Sequence, residues 1–276
     1  MGTLIRRRKK RAVMSDATTS EMLTFGGHLD VLRRILFRVL GVTAAFAVTI
    51  FVLKDLTFRM LLAPGNGNFV TYRVIERLLH LLGSDFSFGD YHMELIATDL
   101  SSQFMTHISS SLYLGLLLAS PYIVFELYGF VAPALLESER RYSGRIVMTV
   151  YLLFLTGVLM SYYVLFPISF RFLSTYSVAT NVRSMITLDS YISTFVVLTL
   201  VMGLVFQLPV VAYILSRLNI LQSDMMCRYR KHALLAIMLL GAIITPPDIM
   251  SLILVAMPLY GLYEVSIRVI RHTERH

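Results

Sequence analysis

With 276 residues, 56% of them hydrophobic and only 15% charged, and a mean hydropathy of +0.69, the chain is too apolar for a soluble domain and reads as a polytopic membrane protein. The formal net charge of +8 does not indicate nucleic acid, because the basic residues are divided among segments between apolar runs and share no soluble surface. One cysteine, Cys227, excludes an intramolecular disulfide and a multi-cysteine metal cage.

Residues 1–24 carry the basic run Arg6 to Arg11 and then polar residues. No apolar core follows the basic block before Ser20, so this is a solvated tail and not a signal peptide. Met14 is an alternative translation start. Residues 25–53 form a short amphipathic approach and a first span, with Arg38 near one edge, where its stem lets the charge reach the headgroups. Residues 55–105 are the longest polar region, with a turn cluster at Pro64, Gly65, Asn66 and Gly67. Beyond it Val74, Ile75, Leu78, Leu79 and Leu82 make one apolar stripe on a helix that lies on the membrane or caps other helices. Met93 to Thr98 reads as a short extended piece, and Asp99 or Ser101 as the cap of the second span.

Residues 106–125 contain no Asp, Glu, Lys or Arg, enough at about 1.5 Å per residue to cross roughly 30 Å of hydrocarbon. Pro121 kinks this span, and the carbonyl it frees requires a partner from a neighbouring segment. Beyond it the chain turns charged, with Glu137, Glu139, Arg140 and Arg141 at the membrane mouth. Residues 146–170 form a third charge-free run, with Pro167 near its far end. Residues 190–216 form a fourth, interrupted by Gln207 and Pro209. Residues 233–245 and 249–263, parted by Pro246, Pro247 and Asp248, give only about 20 to 23 Å of helix each. They read as a short hairpin.

Eighteen Lys and Arg fall in residues 1–34, 131–145, 216–232 and 264–276, against five in 55–105, 168–189 and 246–248. The positive-inside rule then puts both termini in the cytoplasm, giving an all-α fold of six transmembrane helices with the last two short. The domain plan is a tail at 1–24, a six-helix transmembrane domain at 25–270 and a cytoplasmic tail at 271–276. Glu139 and Cys227 lie inside the cell on this reading and Asp248 outside.

Polar groups at bilayer depth are functional candidates, because each costs several kcal/mol without a partner. Gln207 has an amide that can bond another helix, within the subunit or beyond it. Glu126 and Phe130 share a helix face at the inner end of the second span, and Glu264 is placed to pair with Arg268, four residues on. The chain lacks G-x-S-x-G, H-E-x-x-H and G-x-x-x-x-G-K-[ST] patterns, so proteolytic, zinc and nucleotide chemistry have no minimum machinery. His107 has no Ser or carboxylate at useful spacing and reads as a packed or interfacial residue. No cofactor or metal set is indicated.

Phe130, Pro133, Leu135, Glu139 and Arg140 stand in the order and spacing of the F-x-x-P-x-L-x-x-x-E-R signature of TatC, the polytopic subunit of the twin-arginine protein translocase. Further stretches resemble the same family: HLDVLRR from His28, GLVFQLPVVAYIL around Gln207, and ITPPDIMSLILVAMPLYGLYE up to Glu264. The resemblance implies a twin-arginine signal-peptide receptor in the bacterial inner membrane. It implies TatA-like and TatB-like single-span partners in an oligomeric complex that moves folded cargo with the proton-motive force. It puts Glu139, with Phe130, Pro133, Leu135 and Arg140, at the signal-recognition position. In the family's amino-terminal pattern the acid that helps receive the signal peptide falls at Val31 of this chain; Asp30, about 100° away around a helix, is the signal-peptide-binding candidate there and substitutes for it only if the local approach differs. At Gln207 the family usually carries Glu. Gln207 and Glu126 are the intramembrane polar candidates, and Pro246, Pro247 and Asp248 the outer hairpin. The alternative class is a secondary transporter for a small solute, which also uses broken helices and midplane polar groups.

Overall fold

The computed structural model describes residues 30–83, 94–131, 143–177, 185–217, 220–245 and 248–274. Helix α1, Asp30–Val52, leads into α2, Lys54–Leu62, and a 3-10 turn at Ala63–Gly65 built on Pro64. Helix α3 is Val70–Leu81. Its apolar stripe faces outward, with Val74, Leu78 and Leu82 all exposed. What anchors it is Tyr72 on the other face, whose hydroxyl donates to the Pro167 carbonyl at 2.8 Å and the Pro64 carbonyl at 3.2 Å.

The extended piece expected near Met93 is the two-residue strand β1, Leu95–Ile96. Helix α4, Ser102–Val131, follows; its first turn is fixed by the Asp99 and Ser101 carbonyls, which accept from Ser102 and Met105 N–H. The third span is α5, Ser143–Met160, a π-turn at Ser161–Leu165, and α6, Phe166–Thr175. Strand β2, Ile186–Thr187, pairs in parallel with β1. Thr187 then caps α7, Leu188–Val205, accepting the Ser190 N–H at 3.2 Å. After a break at Phe206–Gln207 the span continues as α8, Leu208–Arg217. Two helices, α9 at Ser223–Arg228 and α10 at Arg230–Ile244, precede α11 at Ile249–Thr273.

Five helices among the described residues are long and apolar enough to cross a membrane: Asp30–Val52, Ser102–Leu127, Val147–Thr175, Leu188–Arg217 and Ile249–Thr273. Helix α10, with 15 residues, reaches about 22 Å and falls short of the roughly 30 Å hydrocarbon layer. The expectation that its successor is equally short is wrong, because α11 has 25 residues. Glu264, Arg268 and Arg271 end the apolar run but not the helix, whose backbone bonds are indifferent to side-chain charge. Arg268 is also not the partner of Glu264. Arg230 takes that place with a two-pronged contact, Nε to Oε1 at 2.9 Å and Nη2 to Oε2 at 3.0 Å, tying α10 to α11.

Pro121 and Pro167 cost less than they threaten, because hydroxyls occupy the carbonyls they free. Pro121 deprives the Leu117 carbonyl of its helical donor, and Ser120 Oγ supplies one at 2.6 Å. The partner expected from another segment is thus the preceding residue of the same helix. Pro167 does the same to Tyr163, and here the donor does come from elsewhere: the Thr71 hydroxyl of α3 bonds the Tyr163 carbonyl. The last carbonyls of α2 are orphans of the kind every helix end leaves. Tyr162 bonds Met60 at 2.8 Å and Tyr191 bonds Leu61 at 2.9 Å, clamping the polar loop onto the third and fourth spans.

The core lies where those two spans meet α11, around Leu165, Phe166, Met202, Val255 and Leu259, all at most 1% exposed. Half of the fourth span is buried against 11% of the first, so the broken span is the central post and α1 a peripheral one. Close approach depends on missing side chains at two places. A Cβ at Gly157 would stand 2.6 Å from the Met202 carbonyl oxygen, and one at Gly115 would stand 2.8 Å from Ala47 N. At the first crossing Ser161 and Thr199 hydroxyls bond each other at 3.1 Å across the buried seam.

Candidate functional site

Helix α1 and helix α4 run antiparallel, so the start of one lies at the membrane face where the other ends. Arg38 and Glu126 meet there, Nη1 to Oε1 at 3.5 Å. The same Oε1 accepts the Tyr122 hydroxyl at 2.7 Å, one turn back on α4. The Glu126 side chain is 13% exposed and Arg38 56%, so the protein covers the carboxylate far more than the guanidinium. From sequence Arg38 has a snorkelling role and Glu126 is an intramembrane polar candidate; in the structure the two charges are paired. The signal was present in principle, as two opposite charges at matched depth in adjacent apolar runs, but which runs are neighbours is not a local property.

This brace fixes the two chain ends that carry the recognition residues expected from sequence. Asp30 is the first residue of α1, exposed, with Val31 beside it at 48% exposure. Phe130 lies in the last turn of α4. Pro133, Leu135, Glu139 and Arg140 follow and lie outside the described residues. From the brace, Asp30 is eight residues away and Val131 five, or about 12 and 8 Å along the helices. The same bilayer face therefore presents the start of α1 and the end of α4.

The second polar feature is Gln207, at the break between α7 and α8. Its side-chain nitrogen donates to the Val150 carbonyl of α5 at 3.1 Å and more weakly to Gly203 at 3.5 Å. Its Oε1 is buried without a hydrogen-bond partner. The amide ties the third span to the fourth where Pro209 and the turn at Gln207 interrupt the latter. It is an internal bond at the nitrogen and an unused acceptor at the oxygen.

Elsewhere the expected residues act locally. Asp248 caps α11, its Oδ1 accepting the Ser251 N–H at 2.7 Å; Pro246 and Pro247 lie outside the described residues. His107 is buried between Phe51, stacked at 4.1 Å, and Phe58, edge-on at 5.5 Å. At the far end of α11, Glu274 accepts the Ser223 hydroxyl and, at 2.7 Å, its N–H. The Ser223 hydroxyl first, and its N–H second, hold this carboxyl below the ordinary glutamate range. Cys227 sits under Arg271, Nη2 to Sγ at 3.4 Å. Among the described residues no cluster of His, Cys, Asp and Glu is placed to hold a metal ion.

The family model for the Sec-independent protein translocase protein TatC matches residues 27–258. Similar curated proteins carry that description too. That of Blattabacterium from Periplaneta americana is 34% identical over 251 residues, covering 89% of this chain and 94% of the relative. That of Carboxydothermus hydrogenoformans is 37% identical over 202 residues, covering 73% and 82%. That of Escherichia coli is 32% identical over 173 residues, covering 63% and 67%. A crystal structure of the twin-arginine translocase receptor TatC matches the fold with a TM-score of 0.69 and 26% identity, over 88% of this chain and 98% of that one.

Proposed function

We propose, from the premise that this chain belongs to the TatC family of Sec-independent protein translocase subunits, that it receives twin-arginine signal peptides at the face where α1 begins and α4 ends. As a translocase subunit it is a multi-pass membrane protein, and the small-solute carrier is not favoured. On this reading α10 is a sixth, short span, both termini are cytoplasmic and the membrane is the bacterial inner one. TatA-like and TatB-like single-span partners complete an oligomeric complex around it. The proton-motive force drives cargo on this reading.

The observation that supports the reading is the Arg38 to Glu126 brace, which puts the start of α1 at the membrane face where α4 ends and the chain continues toward Glu139. A twin-arginine signal has to be told from other basic amino termini. A carboxylate does so because guanidinium presents a planar fork for two parallel hydrogen bonds, which the point charge of lysine lacks. Glu139 is that acid. Phe130, Pro133 and Leu135 shape the apolar surround, Arg140 balances the charge, and Asp30 supplies a second acid near the place vacated at Val31.

Titration of the purified full chain with a twin-arginine peptide and its twin-lysine variant tests this. Glu139→Gln is expected to cost roughly 2 to 5 kcal/mol of twin-arginine affinity and to leave the twin-lysine peptide nearly unaffected. Equal losses for both peptides, or none, would show that another group reads the arginine pair.

A further inference from the structure

Helix α3 carries its apolar side chains on the face that the protein leaves open. At about 100° per residue, Val70, Val74, Leu78, Leu81 and the cap residue Leu82 fall within roughly 120° of one another around the helix. All five are exposed, by 47% to 84%. Tyr72, on the far side, is buried and bonded to the Pro64 and Pro167 carbonyls. Around the helix between Tyr72 and Val70 come Arg73 and Arg77, both exposed. The helix thus has one side held by the protein, one apolar side, and a cationic flank next to the apolar one.

Its level in the membrane follows from the third span. The charge-free run of that span begins at residue 146, and Tyr163 stands 17 residues further on, about 26 Å along a helix. That is close to the far edge of a roughly 30 Å hydrocarbon layer. Helix α3 is fastened there. The Thr71 hydroxyl donates to the Tyr163 carbonyl, and Phe69, immediately before α3, stacks on the Tyr163 ring at 5.7 Å and meets Tyr162 edge-on at 5.6 Å. Aromatic rings gathered in this way suit the boundary between hydrocarbon and headgroups. The end of α1 agrees with this level, since its apolar run stops at Leu53 and α2 opens with Lys54 and Asp55.

We propose that α3 is an interfacial anchor on the face where α1 ends, its stripe from Val70 to Leu82 sunk among the upper ends of phospholipid acyl chains and Arg73 and Arg77 at the headgroup phosphates. Depth and charge select lipid over a partner protein. A membrane-spanning partner packs along the length of a span, whereas α3 is fastened only at the edge of the layer. A cationic flank bordering an apolar stripe fits a surface where phosphate lies just above hydrocarbon. Against an apolar partner the same guanidiniums would lose water without gaining an anion. Through Thr71 and Tyr72 the anchor is joined to the Tyr163 and Pro167 carbonyls, so the lipid surface holds the bend of the third span at a fixed level.

The chain contains no tryptophan, so a single introduced one reports on its own position. The full chain carrying Leu78→Trp is reconstituted in vesicles of equal parts phosphatidylglycerol and phosphatidylcholine, brominated either high on the acyl chains or near their ends. Its fluorescence is expected to be quenched more by the high bromines, matching a seat about 5 to 10 Å into the headgroup and acyl boundary, and to be protected from iodide present on both sides of the membrane. Val74→Trp, one turn earlier, is expected to give the same order. Leu116→Trp, exposed on α4 at the middle of its charge-free run, is expected to give the reverse. Adding Arg73→Gln and Arg77→Gln to Leu78→Trp is expected to shift quenching toward the deeper bromines. Quenching of both stripe positions by iodide and by neither lipid puts the stripe in water and overturns the proposal. Protection from all three quenchers puts it under protein, a second copy of this chain, and overturns it equally. A depth order unmoved by the two arginine substitutions overturns the headgroup contact.

Discussion

Replacing Gly157 by Ala tests the crossing on which the central post depends. The added Cβ would lie 2.6 Å from the Met202 carbonyl oxygen, 2.9 Å from Phe206 Cγ and 3.0 Å from Gly203 Cα. Carbon contacts are comfortable at about 3.5 to 4.0 Å, so the third and fourth spans must part by close to the difference. Two of the three opposing atoms are backbone and cannot rotate aside. Overpacking of this kind costs about 1 to 3 kcal/mol. Alanine also gains about 0.8 to 1.0 kcal/mol of helix propensity over glycine, which would mask part of the loss. Gly261→Ala in α11 removes that ambiguity, because nothing lies within 4 Å of its added Cβ and the propensity gain is shared. In reversible denaturation in mixed micelles, Gly157→Ala is therefore expected to be about 1 to 3 kcal/mol less stable than Gly261→Ala. Equal stabilities would mean that the two spans do not approach as described.

Gln207→Leu gives up an interhelical bond worth about 0.6 to 1.7 kcal/mol but also removes a buried acceptor without a partner, whose burial costs about 1 to 3 kcal/mol. The net change in micelle unfolding is expected to be small, and a loss well above 2 kcal/mol would show that Oε1 has a partner. Gln207→Glu is expected to be the worse substitution when ionised, because a carboxylate then faces the Val150 carbonyl and cannot donate to it; raising the pH should lower its stability, and a flat profile would contradict the geometry. Glu126→Gln keeps an acceptor for Tyr122 and loses only the charge pair; with the Arg38 side chain exposed on the protein surface, the expected cost is about 0.5 to 1 kcal/mol, read as the same unfolding shift, and a second substitution, Arg38→Gln, should add little to it. Glu274 has a lowered folded pKa, so its contribution is complete above the unfolded carboxyl value and is lost as pH falls through the folded one. Amide exchange at Ser223 should accelerate across that acidic window in the wild type and be fast throughout in Glu274→Gln.

How much of this is legible without coordinates depends on the range of the interaction. Charge-free runs mark the spans because a helix in lipid has to be apolar along its whole length, and the interruption at Gln207 and Pro209 marks the broken one for the same reason. The outward stripe of α3 and the strand at Leu95–Ile96 are local patterns and follow from periodicity and β-branching. Partnerships between helices do not. Glu264 has Arg268 one turn away in sequence, yet Arg230 from another helix wins with two well-aligned bonds. The length of α11 is hidden for a related reason: hydropathy reports where lipid contact stops, and the backbone ladder continues into water. The signature from Phe130 to Arg140 is readable as sequence, while the pairing of α1 with α4 rests on a charge pair, Arg38 to Glu126, joining residues far apart in the chain.

The hydroxyls that cover the proline-freed carbonyls bear on how this protein can move. A proline in a helix ordinarily leaves a pivot, since one rung is gone and the halves bend about the gap. Ser120 at Leu117 and Thr71 at Tyr163 supply donors to those carbonyls, so the second and third spans are braced at their prolines. The fourth span has a two-residue gap at Phe206 and Gln207, bridged to its neighbour by one amide bond. Bending is therefore expected to come more easily at that joint of the fourth span than at Pro121 or Pro167.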